Sequence, residues 1–174
     1  MAQTSRSIAD LETLLATNGA RGISGIDVRD LMESAMGCYG GLHIDGGSTA
    51  LSLTATPAEV DTWLSSANLR NTTADLVNGR LQLDSDGIWR LDFSASFIVV
   101  TATDRFNWQL RADAVAIAGG QRDVTGVLAE RASVHISQLY TAVAGAEISV
   151  YAAAVGAAGD ATLEHANLVA HRVG

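Results

Sequence analysis

Over its clearest stretch the chain alternates apolar and polar residues with period two. From Ile88 onward, Trp89, Leu91, Phe93, Ala95, Phe97 and Val99 fall on one side, and Arg90, Asp92, Ser94 and Ser96 on the other. That is the pattern of a strand with one face in a core. After Thr103-Asp104-Arg105 the alternation resumes, with Phe106, Trp108, Leu110 and Ala112 set against Asn107, Gln109, Arg111 and Asp113. Further strands are expected at residues 132–137, 148–151 and 161–173. Turn signals separate the pieces: Asp45-Gly46-Gly47, Asn78-Gly79, Ser85-Asp86-Gly87, Gly119-Gly120 and Gly156-Ala157-Ala158-Gly159-Asp160. Short strands with such punctuation predict one antiparallel β-sandwich or barrel from about residue 56 to residue 174. The single proline, Pro57, sits at the start of this region, where an edge or entry position accepts it.

The first part of the chain follows the helical period instead. Ser7 can cap a helix with Ile8, Leu11, Leu14 and Leu15 on one face, closed by Asn18-Gly19. Ser24 and Asp27 form a capping-box pattern ahead of a second stripe of Val28, Leu31, Met32 and Ala35, which Gly37 ends. Neither helix is long enough to be stable alone in water. Each must pack on something, either the chain's own domain or another subunit. Ile8, Leu11, Leu15, Ile26, Val28, Leu31 and Met32 are therefore the candidate docking residues.

Composition narrows the function. At 174 residues the chain has the length of one ordinary domain with an appendage. Aromatic residues are only 5% of a sequence that is 48% hydrophobic. Ala and Gly carry much of the apolar count, which suits close-packed sheets and tight turns better than a deep cofactor pocket. A net charge of -8 argues against nucleic acid, whose phosphates need a basic stripe. All 11 basic residues are arginine, which tolerates interfaces better than lysine because it is more weakly hydrated. Cys38, the single cysteine, excludes an intrachain disulfide and a thiolate metal cluster, and reads as a small buried residue. No apolar run reaches bilayer length, and the first seven residues lack signal-peptide order, so folding in a cytoplasm without a membrane partner is expected. Asn71-Thr72-Thr73 is then simply a polar loop.

Residues 87–97, Gly-Ile-Trp-Arg-Leu-Asp-Phe-Ser-Ala-Ser-Phe, resemble the glycine, aromatic and alternating-strand signature of C1q/TNF-like jelly rolls. Residues 106–113 resemble the strand and turn that follow it, residues 144–150 the family's later turn and strand, and residues 162–170 its last strand. The version most similar is that of tailed-phage fibre and head-decoration proteins. Residues 22–31, Gly-Ile-Ser-Gly-Ile-Asp-Val-Arg-Asp-Leu, are similar to a segment near the start of phage virion proteins. The resemblance covers residues 51–174. It implies a jelly-roll domain there, a helical docking segment with short strands over residues 1–50, and a homotrimer joined through aliphatic sheet faces. Two departures stand out: residues 56–71 have no strand equivalent, and Gly126 interrupts an expected strand.

Catalytic chemistry is not evident. His43, His135, His165 and His171 share no metal-ligand spacing with one another or with Cys38 or the acidic residues. Glu164 and His165 are adjacent, which in an unbroken strand puts them on opposite faces. His165 reads as a strand residue bonded to a neighbouring loop or subunit, and as the candidate residue for a trimer axis. Asp84-Ser85-Asp86-Gly87 lacks the remaining oxygen ligands of a calcium loop and reads as a tight hairpin. No phosphate loop, nucleophile elbow or carboxylate pair is present. No catalytic residue, metal or cofactor is expected, and the chain reads as a non-enzyme. Trp89 and Trp108 are in phase with core positions, whereas Trp63 has no phase partners and is the candidate surface contact.

Together with the two-part layout, the resemblance implies a virion structural protein. The expected form is a trimeric capsid decoration or head-fibre protein, made in the host cytoplasm and anchored through its N-terminal segment. Its partners would be its own copies and capsid or other virion proteins. A long fibre would need shaft repeats, which the chain lacks. The alternative is a receptor- or carbohydrate-binding module of a phage tail fibre, contacting cell-surface glycan.

Overall fold

The two most strongly alternating segments become interior strands, one in each of two facing sheets. In this computed structural model the described residues are 38–46, 49–101, 104–156 and 159–173. They contain twelve strands: β1 (Tyr39–Ile44), β2 (Thr49–Leu53), β3 (Ala58–Glu59), β4 (Ser65–Arg70), β5 (Thr72–Asp75), β6 (Arg80–Leu83), β7 (Gly87–Val99), β8 (Asp104–Ala112), β9 (Val115–Gly126), β10 (Arg131–Ala142), β11 (Ala146–Ala154) and β12 (Gly159–Arg172). Sheet A runs β10-β7-β12-β1-β4, with β2 continuing beside β12 beyond the end of β1. Sheet B runs β5-β6-β11-β8-β9, with β3 beside β11. All named strand pairs are antiparallel. The chain divides into Met1–Cys38 and Tyr39–Gly174. The expected docking helices, with Ile8, Leu11, Leu15, Ile26, Val28, Leu31 and Met32, lie outside the described residues.

The core is the sum of the inward positions read from the alternation. Trp89, Leu91, Phe93, Phe97, Phe106, Trp108 and Leu110 are all fully buried. Phe97 stacks edge-on against Phe106 at 5.4 Å between centroids, and its ring centroid is 5.2 Å from that of Trp108. Phe93 closes the cluster on the other side of Trp108 at 5.6 Å. Offset and edge-on ring pairs of this kind add roughly 0.5–1.5 kcal/mol each beyond the area they bury.

Several expectations need correction. The sandwich begins at Tyr39 and not at residue 51, because β1 and β2 are hydrogen-bonded neighbours of β12. Residues 56–71 do contain strands, the short β3 and the irregular β4, whose partner register shifts between Tyr39 and Gly41. Asp84-Ser85-Asp86 is not a hairpin: it links β6 in sheet B to β7 in sheet A. Its carboxylates serve that corner, Asp84 accepting from Thr73 Oγ1 at 2.9 Å and Asp86 from the Ala144 amide at 2.7 Å. Gly119-Gly120 lies within β9, in a bulge between the Gln109 and Arg111 pairings, while the β8–β9 turn is Asp113-Ala114, both at positive φ. Trp63 is only 5% exposed and donates its indole N–H to the Val60 carbonyl at 2.8 Å. It packs in the interior and offers no ring to a ligand.

Candidate interaction face

Strand register determines what the outer face of sheet A displays. His135 on β10, Ser94 on β7, Asn167 on β12, His43 on β1 and Ser65 on β4 are cross-strand neighbours in one unbroken row. The adjacent row holds Ser133, Ser96 and His165. On the other side come Ser137, Asp92, Val169, Gly41 and Ala67, and then Leu139, Arg90, His171, Tyr39 and Arg70. All four histidines of the chain therefore stand on one sheet face, although they are scattered in the sequence. A shallow depression of about 1090 Å³ lies over the first two rows, with Arg122 and Asp123 of β9 at its rim.

A β-bulge gives this face its one irregularity. Leu163 pairs with Phe97 and His165 with Ser96, leaving Glu164 as the extra residue. The bulge turns both Glu164 and His165 outward, since Leu163 and Ala166 on either side are buried. The expectation that these two residues face opposite sides fails for that reason. Opposite the bulge β1 gives way to β2, and Asp45 and Gly46 after β1 lie against His165. The Gly46 amide lies 3.3 Å from His165 Nδ1, and Asp45 Oδ1 lies 3.2 Å from the same nitrogen. One nitrogen cannot serve both. A neutral ring protonated at Nε2 accepts from Gly46, whereas an imidazolium donates from Nδ1 to Asp45.

Three charged pairs stand on the face or at its rim. Arg131 makes a two-pronged contact with Glu164, its second nitrogen at 2.9 Å from Oε1. The hydrogen bond from Arg131 holds the Glu164 carboxyl below the usual carboxylate range, and the same bond raises the guanidinium. Arg90 Nε is 2.9 Å from Asp92. At the rim, Asp123 accepts from Asn107 at 2.6 Å and faces Arg105 at 3.6 Å. A chain of net charge -8 thus presents a nearly balanced surface here. At the middle of the first row, Asn167 Oδ1 is buried without a hydrogen-bond partner among the described residues. Such an acceptor costs about 1–3 kcal/mol while it remains unmet.

The outer face of sheet B differs because its polar groups satisfy one another. Arg80 bridges Glu59 at 2.9 Å and Glu147 at 2.7 Å, and both hydrogen bonds raise its pKa, that to Glu59 first. Tyr151 OH contacts Glu59 at 3.3 Å, and the Arg111 guanidinium sits 4.0 Å over the Tyr151 ring. Gln109 accepts from Arg111 at 2.9 Å and donates to Asn107 at 2.6 Å. This ladder stiffens the outer face of the sheet; the unmet indole N–H of Trp108 on β8 belongs to the buried Trp108 side chain in the core.

Among the described residues the outside of sheet A is mostly serine, histidine, asparagine and charged side chains, with Ile88 and Leu139 as its exposed large aliphatic residues, and differs from the aliphatic face expected for a trimer contact. No serine hydroxyl is hydrogen-bonded to an imidazole there, and no three His, Cys, Asp or Glu residues form a metal-holding group among the described residues. His165, singled out in the sequence, does lie on this face. His43, His135 and Asn167 were not singled out as site residues, and no signal short of strand register could have joined them.

The architecture matches solved structures of C1q and TNF domains. The globular domain of a zebrafish complement 1qA protein superposes with a TM-score of 0.57 at 11% identity, covering 79% of this chain and 98% of the other. The Eiger TNF structure from S. frugiperda superposes with a TM-score of 0.54 at 14% identity, covering 79% of this chain and 94% of the other. The chain has a C1q/TNF-like jelly-roll fold. No protein-family model matches the chain, and neither does any curated protein.

Proposed function

We propose that this chain is a non-catalytic structural protein of a virion, a capsid decoration or head-fibre knob in which three copies meet through the outer face of sheet A. The observation that carries the assembly part is that face itself: broad, shallow, charge-balanced and holding the unmet Asn167 acceptor. Around a threefold axis the same face of three copies converges, so an unbalanced charge there would oppose assembly. The rest of this acidic chain does not share that balance. A donor from a neighbouring copy would satisfy Asn167, and small serines let backbones approach closely. The virion assignment rests on the resemblance of residues 22–31 and 51–174 to phage proteins, with the N-terminal segment as anchor to the capsid. Three weak anchors on one trimer add through effective concentration. The glycan-binding alternative has lost its aromatic platform, since Trp63 is interior.

Light scattering coupled to size exclusion tests the assembly, with a mass of three chains expected. Ser94→Arg, placed next to Asn167 in the first row and exposed in the single chain, should give a folded monomer. A wild-type monomer at micromolar concentration overturns the trimer. A trimer that tolerates Ser94→Arg moves the contact to another face. Capture of a co-encoded capsid protein by the full chain, lost on removal of residues 1–37, is the result expected of the anchor. Neighbouring reading frames unrelated to virions would overturn that assignment.

A further inference from the structure

We infer that Arg122 of one copy pairs with Asp45 of the next around the trimer, and that this contact fixes how neighbouring copies meet. This rests on the trimer reading above and adds the residues that join it. Arg122 is exposed on β9 at the rim of the depression over sheet A. Among the described residues it is the one arginine that makes no hydrogen bond, ion pair or ring contact. Arg80, Arg90, Arg105 and Arg131 hold carboxylates, Arg111 holds Gln109 and Tyr151, and Arg70 and Arg172 are engaged as well. Across the same depression stands Asp45, directly after β1, with 92% of its side chain exposed. The His165 ring engages Asp45 only when charged, since a neutral ring accepts from Gly46 instead. The other carboxylates nearby are taken: Asp123 by Arg105, Glu164 by Arg131 and Asp92 by Arg90. Asp160, farther along β12, accepts from Ser52.

Within one chain these two charges stand apart, because β12, β7 and β10 lie between them. Those strands span roughly 10 Å at about 4.8 Å per step. A ring of copies joins unlike flanks, the patch on one side of each copy meeting the patch on the other side of the next. Joining the flank of β9 and β10 to the flank of β1 and β4 requires an axis running roughly along the strands. Rotation about such an axis changes no height, so two residues can meet only if they stand at the same level along the strands. Arg122 and Asp45 satisfy this, since both border the depression over the rows of His135 and His165. Closing the ring then sets three unengaged guanidinium groups against three open carboxylates.

The test is sedimentation velocity at low ionic strength on the full chain, Arg122→Asp, Asp45→Arg and the double swap. Tryptophan fluorescence serves as the check that the sandwich stays folded. Each single reversal sets like charges together at three contacts and should raise the trimer dissociation constant on the order of tenfold or more. The double swap restores the pair in the opposite sense and should return the constant to within about threefold of the parent value. If a reversal disturbs the fold, Arg122→Gln and Asp45→Asn give the same test, the combined variant losing no more affinity than either single one. A parent monomer overturns the trimer reading, and this inference with it. A trimer indifferent to both reversals, or weakened by them and not restored by the swap, overturns the pairing and leaves the trimer standing.

Discussion

Gly126 is the position at which packing can be tested most sharply. It ends β9 where the strand passes over the core, and a methyl added there would lie 2.3 Å from Val99 Cγ2 and 2.9 Å from Phe106 Cε2. Its backbone is outside the left-handed region, so alanine is conformationally allowed. On chain entropy alone Gly126→Ala would stabilise by about 0.4–1 kcal/mol. Overpacking acts against this at about 1–3 kcal/mol, so a net loss of about 1–2 kcal/mol is expected. Val99→Ala removes the obstructing atom and by itself costs about 1.5 kcal/mol or more, from two methyl groups at about 0.8 each. In the double variant the new methyl occupies the vacated space. Its stability should exceed the additive expectation by about 1–2 kcal/mol, within the range measured for coupled neighbours. Guanidinium unfolding of the four proteins at one fixed concentration measures the cycle, since an oligomer's stability depends on concentration. Strict additivity, or a Gly126→Ala protein as stable as the parent, would refute the close approach.

Three further outcomes follow from the described geometry. Trp63→Ala should lower unfolding stability by about 3–5 kcal/mol, as loss of a buried aromatic does, and a change near zero in urea melts would return Trp63 to the surface. Glu164 has its carboxyl lowered by the Arg131 hydrogen bond, so its contribution is present above the unfolded value and lost as pH falls. Glu164→Gln should therefore flatten the decline in urea midpoint below about pH 4.3, and an unaltered acid limb would contradict the pairing. Asp75 is lowered chiefly by the Asn78 side chain, at 2.6 Å, so Asn78→Ala should raise its titration midpoint in carboxyl NMR spectra, and a fixed midpoint would count against the contact.

The sandwich was legible where strands are long, two-faced and uninterrupted. β7 and β8 appear in the sequence almost residue by residue because one face meets the core and the other meets solvent. Asp113-Ala114 was not legible as a turn, since an alanine at positive φ carries no compositional signal, whereas Gly119-Gly120 carried one and sits inside a strand. The Glu164 bulge reversed a facing argument because parity along a strand holds only until one residue is inserted. Trp63 seemed unplaced because β3 and β4 are too short or irregular to show a period. The histidine face needed information of another order. His43 and His135 lie on strands that are not adjacent, and only the order β10-β7-β12-β1 places them in one row.

That same strand order constrains how the domain can form. β12 is last of the twelve in chain order, yet it lies between β7 on one side and β1 with β2 on the other. During synthesis, the earliest strands of sheet A have no neighbour on that flank until the latest one emerges. β7 with β10, and β8 with β9, can pair before β12 is made, but the union of the β7–β10 pair with β1 and β2 in sheet A waits for it. Long-range pairing of this kind makes folding slow and leaves strand edges exposed in the interim. Early collapse would have to depend on the aromatic cluster between β7 and β8, with β12 inserting afterwards as the closing step.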